Sequence, residues 1–433
     1  MGSQAAATPI SATSASDAAQ ARVRQIAFHA VVFLAALLVL FLRRPDALLN
    51  AQFYAEDGAR WFADAYHVGW RCLLLPDSGY LQTVSRLIGL AMQLVPFRLV
   101  PLFMNLCALT FQILPVNVFL SKRFAAIPFK TRLFGGLLYL CAPNSFETHA
   151  NTTNIQWHLA LACFLLMLSR VPPGRAGRCF ELSLLTFSVL DGASGMLLVP
   201  VAAALWWKRR DTRSLAALAV LVPGAVLQTL FLLLSHSRRS APNGASLARF
   251  AGILGGQVFL SSVLGLRTSI QLFFAHVPWL WLAQTVAMGI GMLIIAYALW
   301  RSPFELKLFI SYSFLSLTLA LIHPVASFSG RYEQWQLLQT PGVANRYYLL
   351  PMLAFLASLV WLAGNPARVA KFARYSAIAV LVLLPIGILR DWKYKPFVDY
   401  DFKAFAADFE RAAPGTTVSI PINPDWQLVL IKH

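Results

Sequence analysis

Two adjacent carboxylates, Glu56 and Asp57, stand among aromatic residues in the stretch NAQFYAEDGARWFADAYHVGW, residues 50–70, of a chain that is only 12% charged. A carboxylate kept partly out of water resists ionisation, and one whose pKa approaches neutrality can take a proton from an incoming hydroxyl. A plainer role also fits. Trp61, Phe62, Ala65 and Val68 recur at three- and four-residue spacing and predict an amphipathic helix, which Asp57 would cap and whose dipole it would complement. Gly58 would allow close approach. One cap uses one acid; the second, hemmed in by Phe53, Tyr54 and Trp61, points to chemistry.

Other polar groups gather in a few places. APNSFETHANTTNIQWH, residues 142–158, sets Glu147, His149, Asn151, Asn154, Gln156 and His158 between two apolar runs. That density of hydrogen-bonding groups suits sugar hydroxyls, with His149, Asn151 and Asn154 as substrate-binding candidates, and it equally suits a wet loop that satisfies its own backbone. Glu147 and His149 are also read as candidate metal ligands, two groups of the three or four that a site uses. Asp191, in LDGAS, is read both as a turn-forming Asp-Gly and as a substrate-binding candidate. Arg331 in GRYEQW and Arg346 in NRYYLLP each adjoin tyrosine, and Tyr347 joins the substrate-binding candidates. A guanidinium fork matches phosphate oxygens, and the competing role is a snorkelling arginine in an aromatic belt. Arg346 begins a helix, where the dipole gives a cation no reason to be.

The frame that must position these groups is set by composition. With 433 residues, 58% of them apolar, and a mean hydropathy of +0.62, the chain reads as an all-α polytopic membrane protein. Residues 1–25, rich in Ala, Ser and Thr, read as a disordered cytoplasmic tail. The run Ile26–Leu42 leads into Arg43, Arg44 and Pro45 without a small-residue cleavage site, so it is a retained helix. Further runs at 99–120, 133–142, 155–169, 179–190, 193–207, 214–234, 278–300, 306–323, 346–363 and 374–389 make about eleven crossings. The stretch Leu81–Pro96 is short for a span and contains Gln82, Arg86 and Gln93; it is read as re-entrant or interfacial.

With that count, the tail and the loops at 121–132, 170–178, 208–213, 301–307 and 364–374 share one side and hold 18 of the 36 Lys and Arg. The charge divides near +14 inside and +4 outside. The net charge of +18 is an orientation signal, and nucleic-acid binding is excluded. The polar clusters fall outside, where the first-loop helix would lie on the membrane surface. Residues 26–389 form the transmembrane domain and 390–433 a small external cap, with a helix at 402–411 and strands near 417–420 and 427–431. The five cysteines show no CxxC spacing, and no internal repeat, Walker loop or GxSxG is present.

The acidic pair after the first helix, the amphipathic external helix, about eleven spans and the late Arg-Tyr pair together resemble the GT-C superfamily of integral membrane glycosyltransferases. More narrowly, the AEDG first loop, the RYY…P motif and the IP-x-NP…W ending are similar to poorly characterised bacterial members. The resemblance implies a GT-C-like fold in the bacterial inner membrane with a site facing the periplasm. It also implies an inverting hexosyl or pentosyl transfer from a polyprenyl-phosphate sugar to a cell-envelope glycan or lipid-linked acceptor. The base would be Asp57 or Glu56, the order here being the reverse of several relatives, and the donor-phosphate partners Arg346 and Arg331. No cofactor is required by this chemistry, and a divalent cation is compatible with it. The rivals are a lipid-linked glycan flippase or transporter, whose ionisable groups would sit near the midplane, and a His-centred membrane acyltransferase.

Overall fold

In a computed structural model the described residues are 12–171, 174–235, 241–326 and 331–433. Every predicted apolar run is helical there, but lengths differ. Seven helical segments among the described residues are long and apolar enough to cross a membrane: Ala19–Arg43, Phe97–Leu120, Thr212–Leu234, Leu247–Leu264, Leu280–Arg301, Phe304–Ile322 and Lys371–Arg390. The other five predicted runs are shorter helices of 12 to 16 residues, Phe129–Leu140, Ile155–Leu168, Gly174–Val189, Leu198–Arg209 and Leu349–Gly364, below the roughly 20 residues of a full span. Outer faces are apolar and exposed, as at Leu34, Leu38, Val226, Leu230 and Leu233, which suits hydrocarbon as the solvent.

Three expectations change. The first helix starts at Ala12, so the expected tail is helical from there, consistent with its alanine content; residues 1–11 lie outside the described residues. Leu247–Leu264 is a long apolar helix that the run count missed, because GILGGQVFLSSVLG is broken by glycines. Those glycines are contacts: a Cβ on Gly255 would lie 1.9 Å from the Gln284 carbonyl oxygen. Thirdly, the apolar face of the first-loop helix packs on protein, with Trp61 and Phe62 in the same core as Val84, Ile88 and Phe97.

The two ends of the bundle differ chemically. At one end Glu181 pairs with Arg123 and with Arg213 (2.8 Å), while Arg213 also donates to the Ser169 carbonyl (2.5 Å), drawing the basic loops together. At the other end lie the first loop, residues 142–154, Asp191, Asp391 and Arg346. Both ends of Leu247–Leu264 attach to this second face: Arg249 pairs with Glu333 (2.5 Å), and the Leu266 amide donates to Asp391 (2.6 Å), which also accepts from Asn144 (2.9 Å). The stretch at 81–96 forms the nine-residue helix Thr83–Ala91, about 13 Å long, and stays on this face through Asp191.

The C-terminal segment closes over the acidic loop. Helix Phe402–Arg411 precedes an antiparallel pair, β1 (Thr417–Ile422) and β2 (Trp426–Ile431). The Ala55 amide donates to the Asn423 carbonyl (2.5 Å) and the Asn423 amide to the Phe53 carbonyl (3.2 Å). Gly58 has no side chain because none fits: a Cβ would stand 3.0 Å from Ile422 and from Phe53.

Candidate active site

The two acids of AEDG take different positions. Asp57 is 1% exposed and accepts four hydrogen bonds, from the amide (2.9 Å) and hydroxyl (2.8 Å) of Thr152 and the amide (2.8 Å) and hydroxyl (2.7 Å) of Thr153. Its side chain therefore caps the turn Thr152–Asn154 that leads into Ile155–Leu168, while making no cap bond to its own helix. Burial pushes its pKa up to about 6 against the pull of those four donors. Oδ1 accepts three of these bonds and Oδ2 the fourth.

Glu56, the neighbour, is half-buried, and no other residue hydrogen-bonds its carboxylate among the described residues. Burial pushes its pKa up to about 7, with Arg346 pulling down and Asp77 and Asp57 pushing up. It is thus a largely buried, partly exposed acid balanced near neutrality.

Facing it is the ion pair of Arg346 and Glu147. The Arg346 guanidinium donates to one Glu147 oxygen, its amide donates to the other (3.0 Å), and a second guanidinium nitrogen reaches the Val325 carbonyl (2.8 Å). Tyr347 lies beneath that guanidinium at 4.8 Å, and its hydroxyl accepts from the Val325 amide (3.3 Å). The phenol of Tyr54 lies within electrostatic range of Glu147, Arg44, Arg346 and Glu56 and so ties these groups into one cluster. Ala55 and Ala344, just before Glu56 and Arg346, have φ of 46° and 53°, a left-handed setting that costs an alanine about 1–3 kcal/mol and is typical of functional sites.

The remaining sequence candidates divide. Asn151 donates to the carbonyls of Glu147 (2.7 Å) and His149 (3.1 Å), and Asn154 to Glu147 (3.0 Å) and to the Asn151 side chain (2.8 Å). These asparagines hold the loop's own shape. Asp191, wholly buried, accepts from the amides of Val84 (2.8 Å) and Ser85 (3.4 Å) and so caps Thr83–Ala91. Arg331 is exposed, with its guanidinium 5.5 Å from Tyr332, and lies outside the buried cluster. His149 is 1% exposed and neither ring nitrogen has a partner; burial, with Arg44 and Arg43 beside it, holds its pKa far below the usual range. Among the described residues no group of three or more His, Cys, Asp or Glu is placed to hold a metal ion.

Two contributors escaped sequence reasoning. Glu147 was weighed only as a metal ligand, and its spacing from Arg346 across 199 residues gives no local signal. Arg44 was taken as a flank of the first helix, yet it sits buried within the cluster.

No family model matches the chain, and no curated protein matches it. Among solved structures, the oligosaccharyltransferase of Archaeoglobus fulgidus in the apo form is similar at 12% identity and a TM-score of 0.43, covering 89% of this chain and 59% of that one. The same enzyme tethered to an acceptor peptide containing the NVT sequon gives 11% and 0.40, over 89% and 58%. Archaeal AglB from A. fulgidus in complex with an inhibitory peptide and a dolichol-phosphate gives 12% and 0.38, over 89% and 59%. The chain spans about 59% of the length of these structures. They are membrane glycosyltransferases of the GT-C superfamily that the sequence motifs resemble; at TM-scores below 0.5 that is a likeness and nothing is built on it.

Proposed function

We propose that the protein is an inverting glycosyltransferase with Glu56 as general base. The sugar donor is a polyprenyl-phosphate sugar, and the acceptor is a cell-envelope glycan or lipid-linked glycan at the external face of the bacterial inner membrane. The observation that carries this is the contrast within AEDG: Asp57 is engaged by four donors, while Glu56 is partly exposed, is bonded by no other residue among the described residues, and has a pKa pushed up to about 7. A base is most effective when its pKa lies near the working pH.

The step follows from those positions. An acceptor hydroxyl gives its proton to Glu56 as its oxygen attacks the anomeric carbon, and the bond from that carbon to the phosphate oxygen breaks on the opposite face. The lipid phosphate leaves as an anion that cations stabilise. Arg346 lends positive potential from a fixed place, although its charge is already matched by Glu147. Arg331, exposed, is assigned no step. The neutral, hydrogen-bonding loop around Asn151 and Asn154 shapes the wall against which the sugar sits.

Mass spectrometry of envelope glycans from wild-type cells, a deletion strain and the deletion complemented with Glu56→Gln tests this reading. The expected result is loss of one hexose, pentose or deoxysugar in both mutant strains. Identical glycans in all three would contradict it.

A further inference from the structure

Arg43 and Arg44 are consecutive, both buried, at 1% and 4% exposure, and their environments are opposite. Arg43 donates to the carbonyls of Leu140 (2.6 Å), Ala142 (3.0 Å), Asp391 (3.3 Å) and Trp392 (3.4 Å). It is a satisfied strut. Arg44 has no hydrogen bond from its guanidinium and no carboxylate within 4 Å among the described residues, and its Nε is sealed from solvent without a partner. The nearest acid along the chain, Asp46, acts on Arg44 electrostatically without an ion-pair contact and accepts from the Phe397 amide (2.8 Å). Only aromatic rings meet this cation, Phe397 at 4.4 Å and Tyr394 at 5.3 Å.

A buried cation without an acceptor, its counter-charge Asp46 acting only from beyond ion-pair distance, is costly to fold and calls for an explanation. A second orphan lies beside it. The His149 ring packs 5.1 Å from the same Tyr394, and both its nitrogens are buried without partners. Arg44 also acts on Tyr54, the phenol shared with Glu56, Glu147 and Arg346, so these two groups lie within electrostatic range of the cluster described above. Arg346 is held in an ion pair with Glu147, whereas Arg44 has no ion-pair contact among the described residues.

We propose that Arg44, with His149 beside it, forms an anion site that receives phosphate oxygens. Resting on the donor reading above, the anion it takes is the phosphate of the lipid-linked sugar. The planar guanidinium provides the fork, the Phe397 and Tyr394 rings hold its plane, and the neutral imidazole supplies one further N–H donor. The arrangement accounts for a guanidinium without an acceptor being kept at a buried position.

The test uses the full chain in detergent, with thermal stability titrated against undecaprenyl phosphate, undecaprenol and inorganic phosphate, in wild type, Arg44→Met and Arg44→Lys. Wild type is expected to bind the lipid phosphate at least about tenfold more tightly than the alcohol, the scale of one charge-assisted contact. Arg44→Met should reduce that preference to within about twofold, while its ligand-free melting temperature stays at or above wild type, since no partner is lost. Arg44→Lys, keeping charge without the fork, should fall between and serves if the Met variant does not fold. An Arg44→Met protein that melts lower without ligand yet keeps the full preference makes Arg44 a packing residue and overturns the site, leaving the donor reading intact. Arg44-dependent binding of inorganic phosphate, with no preference for the lipid phosphate, keeps the site and removes the donor reading. Binding of neither anion by wild type overturns the proposal.

Discussion

At the scale of residues, the AEDG motif shows how adjacent identical chemistries are given different tasks by their surroundings. Because Asp57 caps with both oxygens, Asp57→Asn leaves an amide NH2 facing one backbone N–H, that of Thr152 where it replaces Oδ2 or that of Thr153 where it replaces Oδ1. We expect a loss of about 1–3 kcal/mol, the cost of a buried donor left unsatisfied, read as a lower melting temperature of the purified protein; an unchanged temperature would remove the capping assignment. Glu56 gives the opposite sign. Its folded pKa, about 7, lies above its ordinary 4.5, so the ionised form is penalised in the native state and stability falls as pH rises through that interval. Glu56→Gln should therefore melt higher than wild type at pH 8 and equal to it below pH 4.5. Transfer by wild type should rise with pH up to about 7 and then level, as the base becomes unprotonated; a rate that falls over that range would contradict the assignment. Sequence pointed to the acidic pair and left open which acid was free, since the answer lies in two threonines 95 and 96 residues away.

The elements explain how the loop holds that geometry. Helix Thr83–Ala91 presses against the first-loop helix at Gly89, where a Cβ would stand 2.2 Å from the Trp61 carbonyl oxygen. Its Arg86 adds a pairing with Asp64 (2.8 Å) and stacks 5.0 Å from the Trp61 ring. Gly89→Ala must push the two apart, and we expect about 1–3 kcal/mol of destabilisation together with loss of transfer, measured as melting temperature and activity on the same preparation. Wild-type values for both would mean that this contact does not position the acids. Helix placement was legible because apolar runs bounded by polar loops have no other stable form in a bilayer. Helix Phe402–Arg411 and both strands of the cap were also legible, from their alternation and the Pro-Gly turn. Leu247–Leu264 was not, because its glycines, which lower apparent helix propensity, are where the helix meets Gln284 and Gln339.

At the scale of the whole molecule, charge and chemistry lie at opposite ends: basic loops gathered by Glu181 at one, the acids and their partners at the other. If the basic end faces the cytoplasm, an impermeant thiol reagent applied to intact cells should label a cysteine appended after His433 and spare one at Lys130. The reverse pattern would place the acids inside and undo the external assignment. That division was readable from charge counts alone, whereas Arg44 and Glu147 were not, because pairing and its absence are set by tertiary packing rather than by neighbours in the chain. The central claim is that Glu56 takes the acceptor's proton, and single-turnover sugar transfer by purified protein tests it most directly. The lipid-linked donor is held saturating, and rates are normalised to folded protein. The account predicts that Glu56→Gln loses on the order of 100-fold or more, the scale of general-base help, while Asp57→Asn retains most of its rate per folded molecule. A Glu56→Gln enzyme that transfers at the wild-type rate would contradict it.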